Sequence, residues 1–258
     1  MTLQNKLTFI TGASSGIGKA CAEEFAKAGS NLILTARRYN RIADLAETLT
    51  KTYNVKVKAI QMDVTNLTEV QYVVASLVDS WRNIDILINN AGLSRGLEKI
   101  YEGDIKHWEE MIDTNVKGLL YVTREILPGM VERNSGHVIN LGSTAGREVY
   151  PNGNVYCATK YAVKALTSAI KIDTLGKNIK VTSIDPGMVE TEFSEVRFSG
   201  DKVRAKKVYE NIDALNAADI AETILFCATR PPHVNIGEVL ITPTEQASAS
   251  QIYKRGKK

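Results

Sequence analysis

A chain of 258 residues, 44% hydrophobic and 24% charged, is long enough for one large globular unit and too apolar for a disordered chain or a fibre. Its formal charge of +3 is too small for a nucleic-acid-binding surface, and much of the excess is terminal, in Lys254, Arg255, Lys257 and Lys258. Cys21, Cys157 and Cys227 are scattered and odd in number, which excludes a disulfide framework and a zinc site, and no apolar run reaches membrane-spanning length.

Along the chain, short apolar and β-branched runs near residues 6–11, 31–36, 55–61, 84–89, 136–142, 179–185 and 238–242 predict seven strands, with helical patterns between them. That alternation predicts a single-domain α/β fold, a doubly wound parallel sheet with helices on both faces. Leu32-Ile33-Leu34 and Ile86-Leu87-Ile88 are continuously apolar, as central strands covered on both sides should be. After Asn66, a predicted N-cap, Val70, Val73, Val74, Leu77, Val78 and Trp81 recur at helical spacing. Gly29 and Gly176 are placed to end helices in a left-handed cap. Longer helices are expected near 108–132 and 154–175. Residues 188–212 break the alternation and read as a lid, and the unit spans 1–250 with a basic tail, 251–258, expected to fray.

The first strand runs into Thr11-Gly12-Ala13-Ser14-Ser15-Gly16-Ile17-Gly18, which opens a helix. Glycines in that place let the backbone approach a diphosphate, and the helix start supplies amide donors and the positive end of the helix dipole. The spacing of three residues and then one resembles the Thr-Gly-x-x-x-Gly-x-Gly turn of the short-chain dehydrogenase/reductase family. The expected cofactor contacts are therefore Gly12, Ser14, Ser15, Gly16, Ile17 and Gly18.

At the end of the second strand, an acidic residue would accept bonds from the ribose hydroxyls of NAD. Here Ala36 stands there, followed by Arg37 and Arg38, which suit a 2′-phosphate through charge-assisted bonds, so NADP is the expected cofactor. By resemblance, Asp63 and Val64 hold the adenine edge, Asn89-Asn90-Ala91-Gly92 closes the ribose side, and Pro186, Gly187, Val189 and Thr191 reach the nicotinamide half, Thr191 at the carboxamide.

Tyr156 and Lys160 are four apart on a predicted helix and share a face, and Ser143 ends the strand Val138-Ile139-Asn140-Leu141. Asn115 lies within the helical segment 108–132. Together with the Gly-rich turn and Pro186-Gly187, these residues resemble the family throughout residues 6–195 and imply a single-domain Rossmann fold. Reducing a carbonyl needs a hydride on carbon and a proton on oxygen, and a free phenol holds its proton too tightly by about 4 kcal/mol. A lysine ammonium about 6 Å away, at an effective dielectric near 20, supplies roughly 3 kcal/mol, and an oxidised nicotinamide adds to it. Tyr156 is thus expected as proton donor, Lys160 as the group that acidifies it and holds the ribose, and Ser143 as the orienter of the substrate oxygen. The resemblance implies that Asn115 positions a water leading from Lys160. His107, His137 and His233 lack ligand spacing, so no metal is expected, and His137 at a strand start reads as structural.

Cys157-Ala158-Thr159-Lys160, the stretch Pro186–Phe193 and Thr242-Pro243-Thr244-Glu245-Gln246-Ala247-Ser248 are similar to a narrower group, NADP-dependent dehydrogenases of serine, L-allo-threonine and related 3-hydroxy acids. Such substrates carry a carboxylate, for which Arg147 and Arg197 are the candidate partners. A general carbonyl reductase of the same family is the alternative, and a non-catalytic NADP sensor a more distant one. A homotetramer built on the helices near 108–132 and 154–175 is expected, with Leu119, Val122, Ile126, Val163 and Leu166 as apolar positions. Reduced cysteines and an N-terminus without a secretory core lead to a cytoplasmic location.

Overall fold

Phe9 and Ile10 are both fully buried yet belong to opposite sides of one sheet, because successive strand side chains point to opposite faces. The same alternation recurs at Leu87 and Ile88, and at Val138 and Ile139. A strand so covered needs a helical layer on each side, and the computed structural model, which describes residues 2–256, has that arrangement.

All seven expected strands form, within two residues of their predicted bounds: β1 Leu7–Thr11, β2 Asn31–Ala36, β3 Val57–Gln61, β4 Ile86–Asn89, β5 Gly136–Leu141, β6 Ile179–Pro186 and β7 Glu238–Ile241. Every neighbouring pair is parallel, and the order is β3-β2-β1-β4-β5-β6-β7. One face is covered by α1 (Gly16–Lys27), α2 (Tyr39–Tyr53) and α9 (Ala217–Ala228), through side chains such as Phe25, Ile42 and Ile224. The other is covered by α3 (Leu67–Ala75), α5 (Leu119–Glu132) and α6 (Asn154–Asp173), through Val70, Val122, Ile126 and Ile170. Each such buried side chain contributes about 1.5–3 kcal/mol. Strand order reverses between β1 and β4, and a crevice opens beyond the carboxyl ends of the strands there.

Local signals account for most element ends. The Asn66 side chain accepts from the Glu69 amide at 3.2 Å and caps α3. Gly29 and Gly176 take φ of +90° and +84°, the left-handed geometry that turns the chain after α1 and α6. The helix after Asn66 is shorter than its apolar periodicity predicts. It ends at Ala75: the chain is extended and exposed at Val78, turns at Asp79 with a positive φ of 51°, and places Trp81 in a short 3₁₀ turn. The expected helix 108–132 starts earlier, at α4 (Ile105–Ile112) capped by Asp104, and passes through a π-turn, Asp113–Gly118, before α5.

Residues 188–212 carry two short helices, α7 (Phe193–Arg197) and α8 (Lys202–Val208). The following tail is not frayed as its charge suggests. Gln246 pairs with Ile252 in an antiparallel bridge, the Arg255 amide donates to Asn211 O at 2.9 Å, and the Arg255 guanidinium bonds Glu245. Asp213, just past the lid, and Glu245 both pair with Arg255, while Lys254 donates to Val208 O at 3.3 Å. Lys257 and Lys258 lie outside the described residues.

Candidate active site

The turn between β1 and α1 takes its shape from backbone freedom. Gly12 and Gly16 have φ of +67° and +52°. A Cβ on Gly12 would meet Ala91 Cα at 2.9 Å, and one on Gly18 would meet Asn90 Nδ2 at 2.4 Å. Asn90 locks the turn, its amide donating to Thr11 O at 2.8 Å and Gly12 O at 3.2 Å. Asn90 therefore does the work the sequence reading spread over the run 89–92. Asn89 is turned the other way, donating to Thr123 Oγ1 and Asn140 Oδ1 in the core, and is not at the crevice. Gly18 likewise serves packing and does not line the crevice. Period-two alternation could have separated Asn89 from Asn90 had the end of β4 been fixed in advance.

The crevice itself holds about 700 Å³. It runs from Gly12, Ser14, Ser15, Gly16 and Ile17 past Arg37, Arg38, Asp63 and Val64, and along Ala91 and Gly92 to Ser143, Tyr156 and Lys160. Pro186, Gly187, Val189 and Thr191 form the opposite wall. The dimensions and donors fit a dinucleotide. The first turn of α1 has no acidic residue and no side-chain cap, which leaves its amides for an anion, and basic side chains flank the end of β2.

At the far end, Tyr156 and Lys160 lie on one face of α6, both buried. The Lys160 ammonium donates to Leu141 O at 2.8 Å and sits 5.9 Å from the centre of the Tyr156 ring. Burial brings its pKa down to about 8, opposed by the charge of Asp185, so it remains mostly charged at neutral pH. Burial also holds the Tyr156 phenol above its ordinary value, opposed by a hydrogen bond from Ser143 and by the Arg197 guanidinium. In the free protein burial outweighs the positive charge near the phenol, whose proton is held more tightly than the sequence implied. Ser143, two residues beyond β5, also accepts from the Ala145 amide at 3.1 Å.

The Asn115 side chain is fully engaged. Its Oδ1 accepts from Leu93 N at 2.8 Å, and its Nδ2 donates to Leu93 O at 2.8 Å and Thr159 Oγ1 at 3.0 Å. It ties the π-turn to the loop after β4 and to α6, and has no side-chain donor left for a water.

The two candidate arginines separate. Arg147 points away from the crevice, held by Asp185 at 2.7 Å and Glu238 at 2.6 Å, both acids raising its pKa. It is satisfied without substrate, and the expectation that it meets a substrate carboxylate is withdrawn. Arg197 lines the crevice, 5.5 Å from the Tyr156 ring centre, donating to Tyr150 Oη at 2.5 Å and Gly96 O at 3.2 Å. Sequence reasoning missed Tyr150, Phe193 and Lys254 in the crevice wall. Phe193 packs against Tyr156 at 5.7 Å between ring centres.

Known proteins are similar to this chain in sequence and in fold. The chain is 44% identical over 254 residues to the NADP-dependent 3-hydroxy acid dehydrogenase of Schizosaccharomyces pombe, covering 98% of each chain. It is 42% identical over 242 residues to sulfoacetaldehyde reductase 2 of Chromohalobacter salexigens, covering 93% of this chain and 95% of that one. The solved closed form of serine dehydrogenase complexed with NADP+ superposes with a TM-score of 0.90 at 43% identity, over 97% of this chain and all of that one. A profile of the short chain dehydrogenase family matches residues 6–202, the stretch that carries the Gly-rich turn, Ser143, Tyr156 and Lys160. With that match and those relatives, the chain belongs to the short-chain dehydrogenase family.

Proposed function

We propose that this protein is an NADP-dependent oxidoreductase that moves a hydride between the nicotinamide and a small 3-hydroxy acid or β-hydroxy amino acid and its oxo form. The observation that carries the substrate class is Arg197: a guanidinium in the crevice beside Tyr156, with no carboxylate partner among the described residues. A substrate acid group would complete its charge-assisted bonding.

The crevice residues given above would hold NADP, with Arg37 and Arg38 at the 2′-phosphate. When bound, the cofactor supplies or accepts the hydride. Tyr156 gives its phenolic proton to the carbonyl oxygen in reduction and takes it back in oxidation, while Ser143 orients that oxygen. Lys160 contributes positive charge beneath the ring. Asn115 fixes the π-turn and α6 relative to each other and so positions Lys160.

Arg197 also fits a sulfonate, which the Chromohalobacter relative favours as a second reading. The test is a panel of 3-hydroxy acids, serine, L-allo-threonine, sulfoacetaldehyde and uncharged ketones with NADP(H). We expect acidic substrates to lead, and Arg197→Ala to raise KM for them about tenfold or more while sparing uncharged ketones. Equal effects on charged and uncharged substrates would remove the anion contact.

The chain has no helix long and apolar enough to cross a membrane among its described residues. A cytoplasmic location and a homotetramer are part of the same proposal. Leu119, Val122, Ile126 and Val163 are core rather than interface. Exposed Ile105, Ile112, Leu120 and Tyr161 on the same helices are the better candidates for contact between subunits.

A further inference from the structure

The adenosine end of the crevice already holds an anion of the chain's own. Four of the five Arg38 donors are engaged there: its Nε donates to Ser14 Oγ at 3.1 Å, its Nη2 to Ser14 Oγ at 2.9 Å and Ser15 Oγ at 2.6 Å, and its Nη1 to Glu192 Oε2 at 2.8 Å. Arg41, one turn along α2, donates to the same carboxylate at 2.7 and 3.1 Å. Glu192 comes from far along the chain, at the N-cap of α7, directly after Thr191 of the crevice wall. One carboxylate thus bridges two guanidinium groups and pins the start of the lid to α2. The three side chains remain roughly 40–50% exposed, so the bridge is open to exchange with a soluble anion.

A 2′-phosphate and this carboxylate compete for the same donors. The phosphate carries close to two negative charges and matches two arginines, whereas Glu192 leaves one positive charge in excess. Were both to stay, two anions would share the Arg38 guanidinium and repel each other.

We propose that Glu192 is an internal occupant of the 2′-phosphate subsite: its carboxylate caps Arg38 and Arg41 in the free protein, the 2′-phosphate displaces it, and Arg41 then joins Arg37 and Arg38 on that phosphate. Cofactor choice and the position of the first lid helix, α7, are coupled through one exchange of anions. A ribose with a free 2′-hydroxyl leaves the Glu192 bridge in place. The inference rests on the NADP reading given above.

The test uses calorimetric titration of the whole protein with adenosine 2′,5′-bisphosphate, 5′-AMP, NADP and NAD at fixed ionic strength. Glu192→Gln removes the competitor and is expected to tighten adenosine 2′,5′-bisphosphate and NADP by about threefold to tenfold, leaving 5′-AMP and NAD within about twofold. Adding Arg41→Ala to Glu192→Gln is expected to weaken the bisphosphate again by about fivefold or more. Unchanged or weaker bisphosphate binding in Glu192→Gln overturns the competition, and an Arg41→Ala addition without effect overturns the role of Arg41. A wild-type protein that binds NAD as tightly as NADP removes the cofactor reading itself, and this inference with it. A wild type that prefers NADP, with Glu192→Gln unmoved, removes this inference alone.

Discussion

Tyr156 is buried beside a lysine ammonium and a guanidinium, and still keeps its proton more firmly than free tyrosine. Replacing it with Phe keeps the ring that packs on Phe193 and removes only the hydroxyl. Tyr156→Phe is therefore expected to cut kcat by about 10²–10⁴ while the dissociation constant for NADP, measured by fluorescence titration, stays within about threefold. Near-normal turnover would rule out the proton role. Tyr156, Lys160 and Ser143 were legible because each sits at a fixed spacing or at a strand end. Arg147 and Arg197 were not separable, since the carboxylates that claim Arg147 come from Asp185 in β6 and Glu238 in β7, remote in sequence.

At the scale of elements, His137 joins three segments. Thr182 donates its hydroxyl proton to Ile236 O at 2.7 Å, so the 2.8 Å bond between Thr182 Oγ1 and His137 Nε2 makes the imidazole the donor. The ring is neutral, carries its proton on Nε2, and ties β5 to β6 and to the loop before β7. Burial, with the charges of Lys180 and Lys171, lowers its pKa to about 3. Between that value and the ordinary range near 6.5, the unfolded chain binds more protons than the folded one, so stability falls as the medium is acidified through this window. The loss is at most about 1.4 kcal/mol per pH unit from this one group. In urea unfolding at pH 6.5 and 4.5, His137→Gln is expected to lose up to about 2 kcal/mol less than the wild type. Equal losses would show that the ring is not the group responsible. The strand start at His137 could be read from sequence, but its partners could not, because they belong to other strands. For a related reason α3 stops short of its apolar pattern: the pattern records which residues prefer burial, and not where the chain must turn to enter β4.

For the whole molecule, the helices α5 and α6 bury apolar side chains against the sheet, and together with α4 they leave a second set, Ile105, Ile112, Leu120 and Tyr161, at the surface. If subunits meet there, light scattering should give a mass four times the 28.3 kDa of one chain, and Ile112→Asp with Tyr161→Asp should lower it. A monomeric wild type would refute the assembly.

The amino-acid sequence by itself determined the seven strands, their parallel winding, the phosphate turn and the pair on α6. Those rest on short-range periodicity, turn chemistry and spacing within one element. The tertiary structure alone decided which of Asn89 and Asn90 faces the crevice, which arginine is left for an anion, and that the basic tail folds back onto the lid. It also brought Glu192 to Arg38 and Arg41. Each of these depends on charges and carbonyls supplied by distant segments, whose approach is set by the closing of the fold and by no local signal.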